Sequence, residues 1–194
     1  MDMTGSGKAD DLLAHLPGGK GLPPVHLWNP AFCGDIDMRI ARDGTWYYLG
    51  SPIGRKPMVK LFSSILRRDG DDYFLVTPVE KVGIEVDDAP FVAVLLQAEG
   101  EGEHQRLRFT SNVGDDIEAG PQHPLWVEID PLTETPSPYL SVRSNLHALI
   151  NRSVFYQLVE LAVSRVVEGR EQLGVWSHGE FYPIDGSSPP PARD

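Results

Sequence analysis

Residues 55 to 62, Arg55-Lys-Pro-Met-Val-Lys-Leu-Phe62, align without a gap on residues 152 to 159, Arg152-Ser-Val-Phe-Tyr-Gln-Leu-Val159. Arg55 falls on Arg152, and Leu61 falls on Leu158. Each stretch has the apolar spacing of a short amphipathic helix. Self-similarity at a long offset is typical of a duplicated structural unit, so the alignment predicts two related halves. The alternative is that two short amphipathic helices resemble each other by chance.

The sequence around both helices repeats as well. Upstream of each helix we expect a hairpin whose turn begins with an arginine, Arg42 in the first half and Arg143 in the second. The first hairpin is indicated by the alternating run Asp35 to Arg42 and by Asp43-Gly44, which turns the chain into Thr45 to Leu49. Downstream of each helix we expect a strand, a polar turn and another strand. Each half is therefore predicted as a β-β-α-β-β unit, and the fold class as α+β.

Local patterns predict the other elements. A short amphipathic helix is expected over Lys8 to Leu16, and the longest helix over Ser153 to Val167, with Gly169 just beyond its end. Another helix is expected over Pro57 to Leu66. Strands or hairpins are predicted over residues 73–77, 82–86, 91–97, 107–110, 125–129, 139–142 and 174–183.

These patterns divide the chain into four segments. Residues 1–23 carry the N-terminal tail and short helix, and residues 24–88 form the first α+β repeat. Residues 89–185 form the second repeat. Residues 186–194 are rich in Gly, Ser and Pro and have almost nothing to bury, so we expect a disordered tail.

Several short blocks resemble an uncharacterised bacterial family, the domain of unknown function DUF1285. The resemblance covers about residues 24 to 184 and implies a duplicated α+β core, a second half similar to pleckstrin-homology-like folds, and a small-ligand site where the halves meet. It also implies a nucleotide-like ligand and a role in signalling. The blocks are Trp28-Asn-Pro, Cys33-Gly-Asp-Ile-Asp-Met-Arg-Ile, Pro52-Ile-Gly-Arg55, Tyr73-Phe-Leu-Val-Thr-Pro-Val-Glu-Lys81, Val86-Asp-Asp-Ala-Pro-Phe91 and Leu146-His-Ala-Leu-Ile-Asn-Arg152.

The charge of the chain is unevenly distributed. Its 194 residues include 28 acidic and 17 basic side chains, a net charge of −11. This balance argues against general binding to nucleic acid, which depends on Lys and Arg displacing counterions from phosphates. Residues 38 to 68, however, hold seven basic side chains against the single acid Asp43, so this segment carries +6 and the rest of the chain −17.

The basic segment and the repeat together predict a site for a small anionic, nucleotide-like ligand between the two halves. Arg55 and Arg152 would anchor the anion, because both come at helix N-termini, where free backbone N–H groups also favour anions. The supporting residues are Arg42, Arg143 and Lys60, with Trp46 or Tyr48 stacking on the ligand. Alternatively, these basic residues pair with acids of the same fold, particularly residues 69 to 72.

Two other function classes stay open. In the first, the protein is an interaction module that recruits a protein partner through its acidic surface or an exposed sheet edge, and the arginines are structural. In the second, it is an enzyme whose site is assembled from scattered carboxylates.

Motifs for known chemistry are weak. Gly5-Ser-Gly7-Lys8 lacks the first glycine and the final Ser or Thr of a phosphate loop, and Ser177 lacks the preceding glycine of a nucleophile elbow. The six histidines have no i, i+4 pair. We therefore predict neither a metal site nor a cofactor. The single cysteine, Cys33, and the absence of a signal peptide or a long apolar run predict a cytoplasmic protein without membrane attachment.

Overall fold

The computed structural model describes residues 7–16 and 18–192. The chain divides into two compact units, one ending at Asp88 and one beginning at Ala89. Residues 1–6 of the predicted N-terminal tail, and with them Gly5 and Ser6 of the Gly5-Ser-Gly7-Lys8 stretch, lie outside the described residues. No helix within the described ranges combines the length and the apolar character needed to cross a membrane.

The described part of the first unit is built around one six-stranded sheet in the order β3-β2-β1-β6-β5-β4. β1 and β2 form the predicted hairpin, with Ile40 opposite Trp46, and β1 runs parallel to β6 in the middle of the sheet. The elements are α1 (Gly7–Ala14), β1 (Phe32–Ile40), β2 (Trp46–Tyr48), β3 (Ser51–Pro52), α2 (Lys56–Ser64), β4 (Leu66–Asp69), β5 (Asp72–Val76) and β6 (Lys81–Val86), with a 3-10 turn over Val25–Leu27.

Helix α2 packs its apolar face on the first hairpin. Phe62 is fully buried, and its ring stacks on Trp46 at 6.2 Å between centroids, whereas Lys60 and Leu61 on the other side of the helix are exposed. The predicted helix over residues 57–66 ends earlier than expected, at Ser64. Leu66 instead begins β4, where it pairs with Leu75. The apolar spacing that suggested another helical turn therefore belongs to a buried strand.

The second unit holds another six-stranded sheet, in the order β10-β11-β12-β7-β8-β9. Its middle is again a parallel pair, β12 with β7, and Leu140, Ala148 and Phe109 are fully buried. The strands are β7 (Phe91–Glu99), β8 (Arg106–Ser111), β9 (Asp116–Glu118), β10 (Leu125–Ile129), β11 (Pro136–Arg143) and β12 (Leu146–Ile150), with a 3-10 turn over Gly102–His104, and α3 (Arg152–Leu161) follows them.

The two halves are similar, as the sequence predicts, and the α+β class is confirmed. Written from one edge, the first sheet runs 3-2-1-6-5-4 and the second 9-8-7-12-11-10, so that each strand corresponds to the strand six places later. The helices do not follow this correspondence, because α2 precedes β4 whereas α3 follows β12. Each helix still lies between hairpins, which explains why their surroundings look alike in sequence.

A third sheet corrects the prediction for the longest helix. Helix α3 ends at Leu161 rather than Val167, because the backbone of Ala162 is already extended, with ψ at 141°. The chain continues as the antiparallel sheet β13 (Val163–Val167), β14 (Arg170–Ser177) and β15 (Glu180–Pro183). Glu168 and Gly169 form a two-residue hairpin turn with φ of 50° and 77°. Gly169 is thus a turn residue and not a helix terminator.

Candidate functional site

The three-stranded sheet exposes one broad face, which we call the outer face. Directly paired residues of antiparallel strands have their side chains on the same face, and every second residue of a strand shares that face. The register of the three strands therefore identifies the side chains of the outer face. The outer face carries Val163, Arg165 and Val167 from β13, Arg170, Gln172, Gly174 and Trp176 from β14, and Phe181 and Pro183 from β15. The opposite face buries Val175, Ser177 and Tyr182 in the second unit.

An arginine stacks on two aromatic rings at the centre of the outer face. The guanidinium carbon of Arg165 lies 5.0 Å from the Trp176 ring centroid and 5.6 Å from that of Phe181. The two rings meet edge to face, 5.3 Å apart. Arg165 is exposed and makes no ion pair with any acid in the described residues. Its orientation is therefore fixed by stacking, while its N–H groups remain open to an oxyanion.

The absence of a side chain at Gly174 makes room for the Phe181 ring. A Cβ at this position would lie 2.5 Å from the carbonyl oxygen of Tyr182 and 2.7 Å from Cζ of Phe181. The ring therefore lies directly over the glycine backbone. A glycine inside a strand often marks such a close approach.

The outer face forms the floor of an open cavity of about 570 Å³. This volume falls in the range of about 300 to 1,000 Å³ that is usual for small-molecule sites. Its rim includes Gln172, Ser188 and the carboxylates of Glu103 and Glu180. One guanidinium and two carboxylates thus surround a floor of aromatic rings.

The C-terminal segment closes one side of this cavity. Gln172 donates from its amide nitrogen to the hydroxyl of Ser187 at 3.1 Å, and a Cβ on Gly186 would lie 2.4 Å from Ile129. Residues 186 to 188, which the sequence assigns to a tail, therefore lie against the second unit.

The inner face of the three-stranded sheet is anchored through buried hydrogen bonds. The Ser177 hydroxyl donates to the carbonyl of Ala119 at 2.6 Å and accepts from the backbone N–H of Leu107 at 3.0 Å. Gln105 donates from its side-chain amide to the carbonyl of Trp176 at 2.9 Å. These bonds hold β14, and with it the ring of Trp176, in a fixed position on the six-stranded sheet.

The pKa values of two side chains next to this sheet, Tyr182 and Glu118, are shifted in opposite directions. Burial, with a smaller contribution from Glu180, raises the pKa of Tyr182 to about 12. The side-chain hydrogen bond from Arg106 lowers the pKa of Glu118, and His178, 2.5 Å away, adds to this effect. The Glu118 contact ties down the His178-Gly179 turn that precedes Glu180.

The predicted basic segment is largely paired within the first unit. Its four paired arginines contact aspartates of the same unit: Arg39 with Asp87 at 2.6 Å, Arg42 with Asp88 at 3.2 Å, Arg67 with Asp69 at 2.8 Å and Arg68 with Asp71 at 3.2 Å. The last two pairs fall in the acidic cluster that the sequence offered as an alternative. Arg67 also donates to the carbonyls of Val25 and Trp28, so this side chain has a structural role.

The basic side chains of helix α2 are placed differently. Arg55 at its N-cap, with Lys56 and Lys60, is exposed and makes no ion pair within residues 7–16 and 18–192. Trp46 is only 1 % exposed, so its ring has no free face for a ligand, and Tyr48 is half-buried.

The predicted arginines of the second unit also differ from each other. Arg143 is half-buried, lies 3.1 Å from Asp115 and has its guanidinium 4.9 Å from the Phe91 centroid. Burial lowers its pKa, and Asp115 opposes that effect. Arg152 is exposed at the start of α3. The N-cap of this helix is Asn151, whose side-chain oxygen accepts a hydrogen bond from the backbone N–H of Val154 at 2.9 Å. That Arg55 and Arg152 anchor one ligand stays a prediction.

Sequence reasoning missed Arg165, Trp176 and Phe181 as a group. It placed Arg165 on a helix, where no pairing with Gln172 is possible, and so separated it from the two rings. The available signal was the run of β-branched residues in Val163-Ser-Arg-Val-Val167 followed by Glu168-Gly169. Among the described residues, no group of three or more His, Cys, Asp or Glu side chains could hold a metal ion.

Comparisons with known proteins agree with the two-unit organisation. Residues 23–89 match the model "Domain of unknown function (DUF1285), N-terminal domain", and residues 90–184 match "Protein of unknown function (DUF1285), C-terminal domain". A comparison with curated proteins gave no match.

Two solved structures are similar. A DUF1285 family protein from Silicibacter pomeroyi DSS-3 is 55% identical, with 89% of this chain and 93% of that chain covered and a TM-score of 0.80. Another from Shewanella baltica OS155 is 31% identical, with 63% and 90% covered and a TM-score of 0.49.

Proposed function

This chain belongs to the DUF1285 family, whose domains are described as being of unknown function, and we propose that it acts as a binding or signalling module for a small anionic ligand that carries a planar ring. In this proposal the ligand lies on the outer face of the three-stranded sheet, with its anion on Arg165 and its ring beside Trp176 and Phe181. The single free cysteine, Cys33, favours a reducing compartment, and we place the protein in the cytoplasm.

The observation that carries the proposal is the stacked, unpaired guanidinium of Arg165. A guanidinium presents its N–H groups as a planar fork that matches two oxygens of a phosphate or carboxylate. Here the fork is held by Trp176 and Phe181, 5.0 and 5.6 Å away, so little side-chain freedom is lost when an anion binds.

The charges around the cavity restrict the ligand further. Glu103 and Glu180 face the same cavity as Arg165, so the lining carries one positive and two negative charges. A triphosphate would be repelled by the carboxylates, whereas one phosphate can bind Arg165 while ribose hydroxyls donate to a carboxylate. We therefore expect a mononucleotide to bind better than the corresponding triphosphate.

Isothermal titration calorimetry with adenosine monophosphate and adenosine triphosphate tests this function. We expect the monophosphate to bind more tightly, and Arg165→Gln to weaken it by roughly 1.5 to 3 kcal/mol, about tenfold to more than a hundredfold. Arg170→Gln is the matched control, because Arg170 is an exposed arginine of the same hairpin that does not line the cavity. Monophosphate affinity that is unchanged in Arg165→Gln, or no binding to the unmodified protein, would refute the proposal.

The same titration decides between this face and helix α2. Arg55→Gln and Lys60→Gln remove charges from the exposed basic side of α2 and leave the cavity untouched. We expect both variants to bind the monophosphate as the unmodified protein does. Loss of binding in Arg55→Gln together with normal binding in Arg165→Gln would instead assign the anion site to the helix.

A protein-interaction role is the second candidate, and the free edge of the three-stranded sheet favours it. β13 is paired with β14 on one side, and no described strand pairs with its other side. All its residues except Val167 are exposed, including Val166 at 69 %. Exposed strand edges are ready templates for another strand.

A further inference from the structure

We propose that the free edge of β13 binds an extended acidic peptide of a partner protein, which adds to the sheet as a fourth strand and places a carboxylate beside Arg165. This surface goes beyond the proposed small-ligand site but shares Arg165 with it. Three features of β13 support the proposal: two residues direct backbone groups to the free edge, the charged residues of β13 and β14 on the outer face are arginines, and the strand contains no proline, lysine or bulge.

The backbone groups of two residues point to the free edge. The two-residue turn at Glu168-Gly169 makes Val167 and Arg170 the closing hydrogen-bonded pair, so Arg165 and Val163 also bond towards β14. Ser164 and Val166 then direct their N–H and C=O groups away from β14.

The next strand supports this assignment for Ser164. Leu173, which lies opposite Ser164, uses both of its backbone groups on the other side, towards β15: its N–H donates to the carboxylate of Asp185 at 3.1 Å, and its carbonyl accepts from Ile184 at 2.9 Å. The free edge therefore offers two donors and two acceptors at the spacing of a β ladder.

The edge lacks proline, lysine and bulges, three of the features that usually prevent strand addition. β13 reads Val-Ser-Arg-Val-Val, without proline or lysine, and its register with β14 is continuous, without a bulge. Proline, lysine and bulges are the common ways by which edge strands avoid pairing. The one charged side chain of this edge, Arg165, opposes pairing with a like charge but leaves the edge suited to a strand that carries an acidic residue.

Charge and register define the peptide. A strand added beside β13 would lie about 4.8 Å away and would place every second side chain next to Val163, Arg165 and Val167 on the outer face. Arg165 and Arg170 are the charged residues that β13 and β14 carry on this face. The carboxylates that line the cavity come from Glu103, in the 3-10 turn over Gly102–His104, and from Glu180 on β15, which is two strands from the edge and pairs with Ser177. The peptide segment that fits this face has five residues, with an acidic residue in the middle beside Arg165 and apolar residues at both ends beside Val163 and Val167. The two residues between them can be of any type.

A second copy of the chain fits this edge less well. Antiparallel pairing centred on Arg165 would place Arg165 opposite its own copy, and directly opposed like charges destabilise a strand pair. An acidic residue at that position removes the repulsion and adds a charge-assisted contact. Charge complementarity thus favours an acidic peptide over self-pairing.

The test is fluorescence anisotropy with the labelled, end-capped peptide Thr-Val-Thr-Glu-Thr-Val-Thr and the whole 194-residue chain. Val166→Pro removes one outward N–H without breaking a bond to β14, a position where edge strands tolerate proline. Val166→Ala is its matched control. We expect Val166→Pro to weaken peptide binding at least tenfold and Val166→Ala to bind as the unmodified protein does. Equal peptide affinity of the two variants would overturn the proposal.

Three further measurements separate the possible failures. Arg165→Glu should lose the Glu peptide and gain a peptide with Lys in its place, and absence of this exchange would contradict the role of Arg165. Binding of adenosine monophosphate by Val166→Pro shows that the fold is intact, and because this small ligand does not need the edge, it tests the small-ligand site independently. A dimer in sedimentation experiments that Val166→Pro abolishes would identify a second copy as the occupant and refute the peptide.

Discussion

At the residue scale, Gly174 determines whether the aromatic floor of the cavity forms. Gly174→Ala would force its Cβ to within 2.7 Å of the Phe181 ring and 2.5 Å of the Tyr182 carbonyl. We expect the ring to be displaced and the unfolding free energy to fall by about 1 to 3 kcal/mol. Chemical denaturation measures this change. Gly54→Ala is the control, since no atom lies within 4 Å of its Cβ position, and an equal effect of the two substitutions would contradict the packing described.

Tyr182 supplies a second residue-scale prediction. Its hydroxyl is buried and has no hydrogen-bond partner among the described residues, and its pKa is raised from 10.0 to about 12. Folding raises the pKa of Tyr182 above its ordinary value of 10.0. The contribution of this group to the unfolding free energy should therefore be fully present below pH 10 and should be lost as the pH rises towards 12.

The variant Tyr182→Phe removes this titration and the unpaired hydroxyl. We expect a shallower loss of stability above pH 10 and an unchanged or higher unfolding free energy at neutral pH. Thermal unfolding as a function of pH measures both. A strongly destabilised Tyr182→Phe variant would show that the hydroxyl has an essential partner.

At the element scale, Val163–Val167 forms strand β13, although its apolar spacing suggests a helix, and the turn that follows it provides a test. Glu168 has φ at 50°, a conformation that Asn adopts more easily than Glu, and Asn-Gly is the preferred pair for this hairpin turn. We therefore expect Glu168→Asn to raise the unfolding free energy by several tenths of a kcal/mol. Thermal unfolding measures this change, and an unchanged or lower melting temperature would contradict the hairpin turn at Glu168-Gly169.

Ser177 provides a prediction about how the two sheets of the second unit are joined. Ser177→Ala would leave the Leu107 N–H and the Ala119 carbonyl without their buried partner. We expect a loss of about 1 to 3 kcal/mol in unfolding free energy. Ser153→Ala, which alters an exposed serine at the start of α3, is the control for chemical denaturation. A loss no larger than that of the control would exclude Ser177 as an anchor.

The elements that sequence predicts well are those fixed by neighbouring residues. Asp43-Gly44 between alternating runs gives the β1–β2 hairpin, and the predicted strand over 125–129 matches β10. The boundary of α3 was wrong because Val163 and Val166 satisfy both a helical and a strand pattern. Pairing with Gly174 and Glu171 decides between them, and such long-range contacts are not readable from local spacing.

At the scale of the whole molecule, the net charge of −11 conceals local pairing in each unit. Asp69 in the first unit keeps a lowered pKa against the opposing effect of burial, because Arg67 and Lys81 bond to it, and Arg106 lowers the pKa of Glu118 in the second unit. Since both pKa values are depressed by folding, their contribution is present above the ordinary values of 3.8 and 4.5 and is lost as the pH falls through the lowered ones.

We therefore expect acid to destabilise both units, and Glu118→Gln to make the acid dependence of the second unit shallower. Residue-resolved hydrogen exchange at several pH values measures each unit separately. A steeper acid dependence in Glu118→Gln would contradict the ion pair with Arg106.

The sequence alone could predict a duplicated α+β molecule and a concentration of positive charge, but not the candidate site. Most of that positive charge is used in ion pairs such as Arg39 with Asp87, which only the folded sheet brings together. Arg165 is a lone arginine outside the basic segment, and no local pattern distinguishes it from other surface arginines. Its two aromatic neighbours come from β14 and β15, and their meeting depends on the register of the hairpins.

The most direct measurement is a titration of the uniformly labelled protein with adenosine monophosphate, followed by nuclear magnetic resonance of the tryptophan indole N–H groups. The chain has four tryptophans, which single substitutions to phenylalanine assign. We predict that the Trp176 indole signal shifts on titration and that the signals of Trp28, Trp46 and Trp126 stay in place. A Trp176 signal that does not move would contradict a ligand site on the outer face.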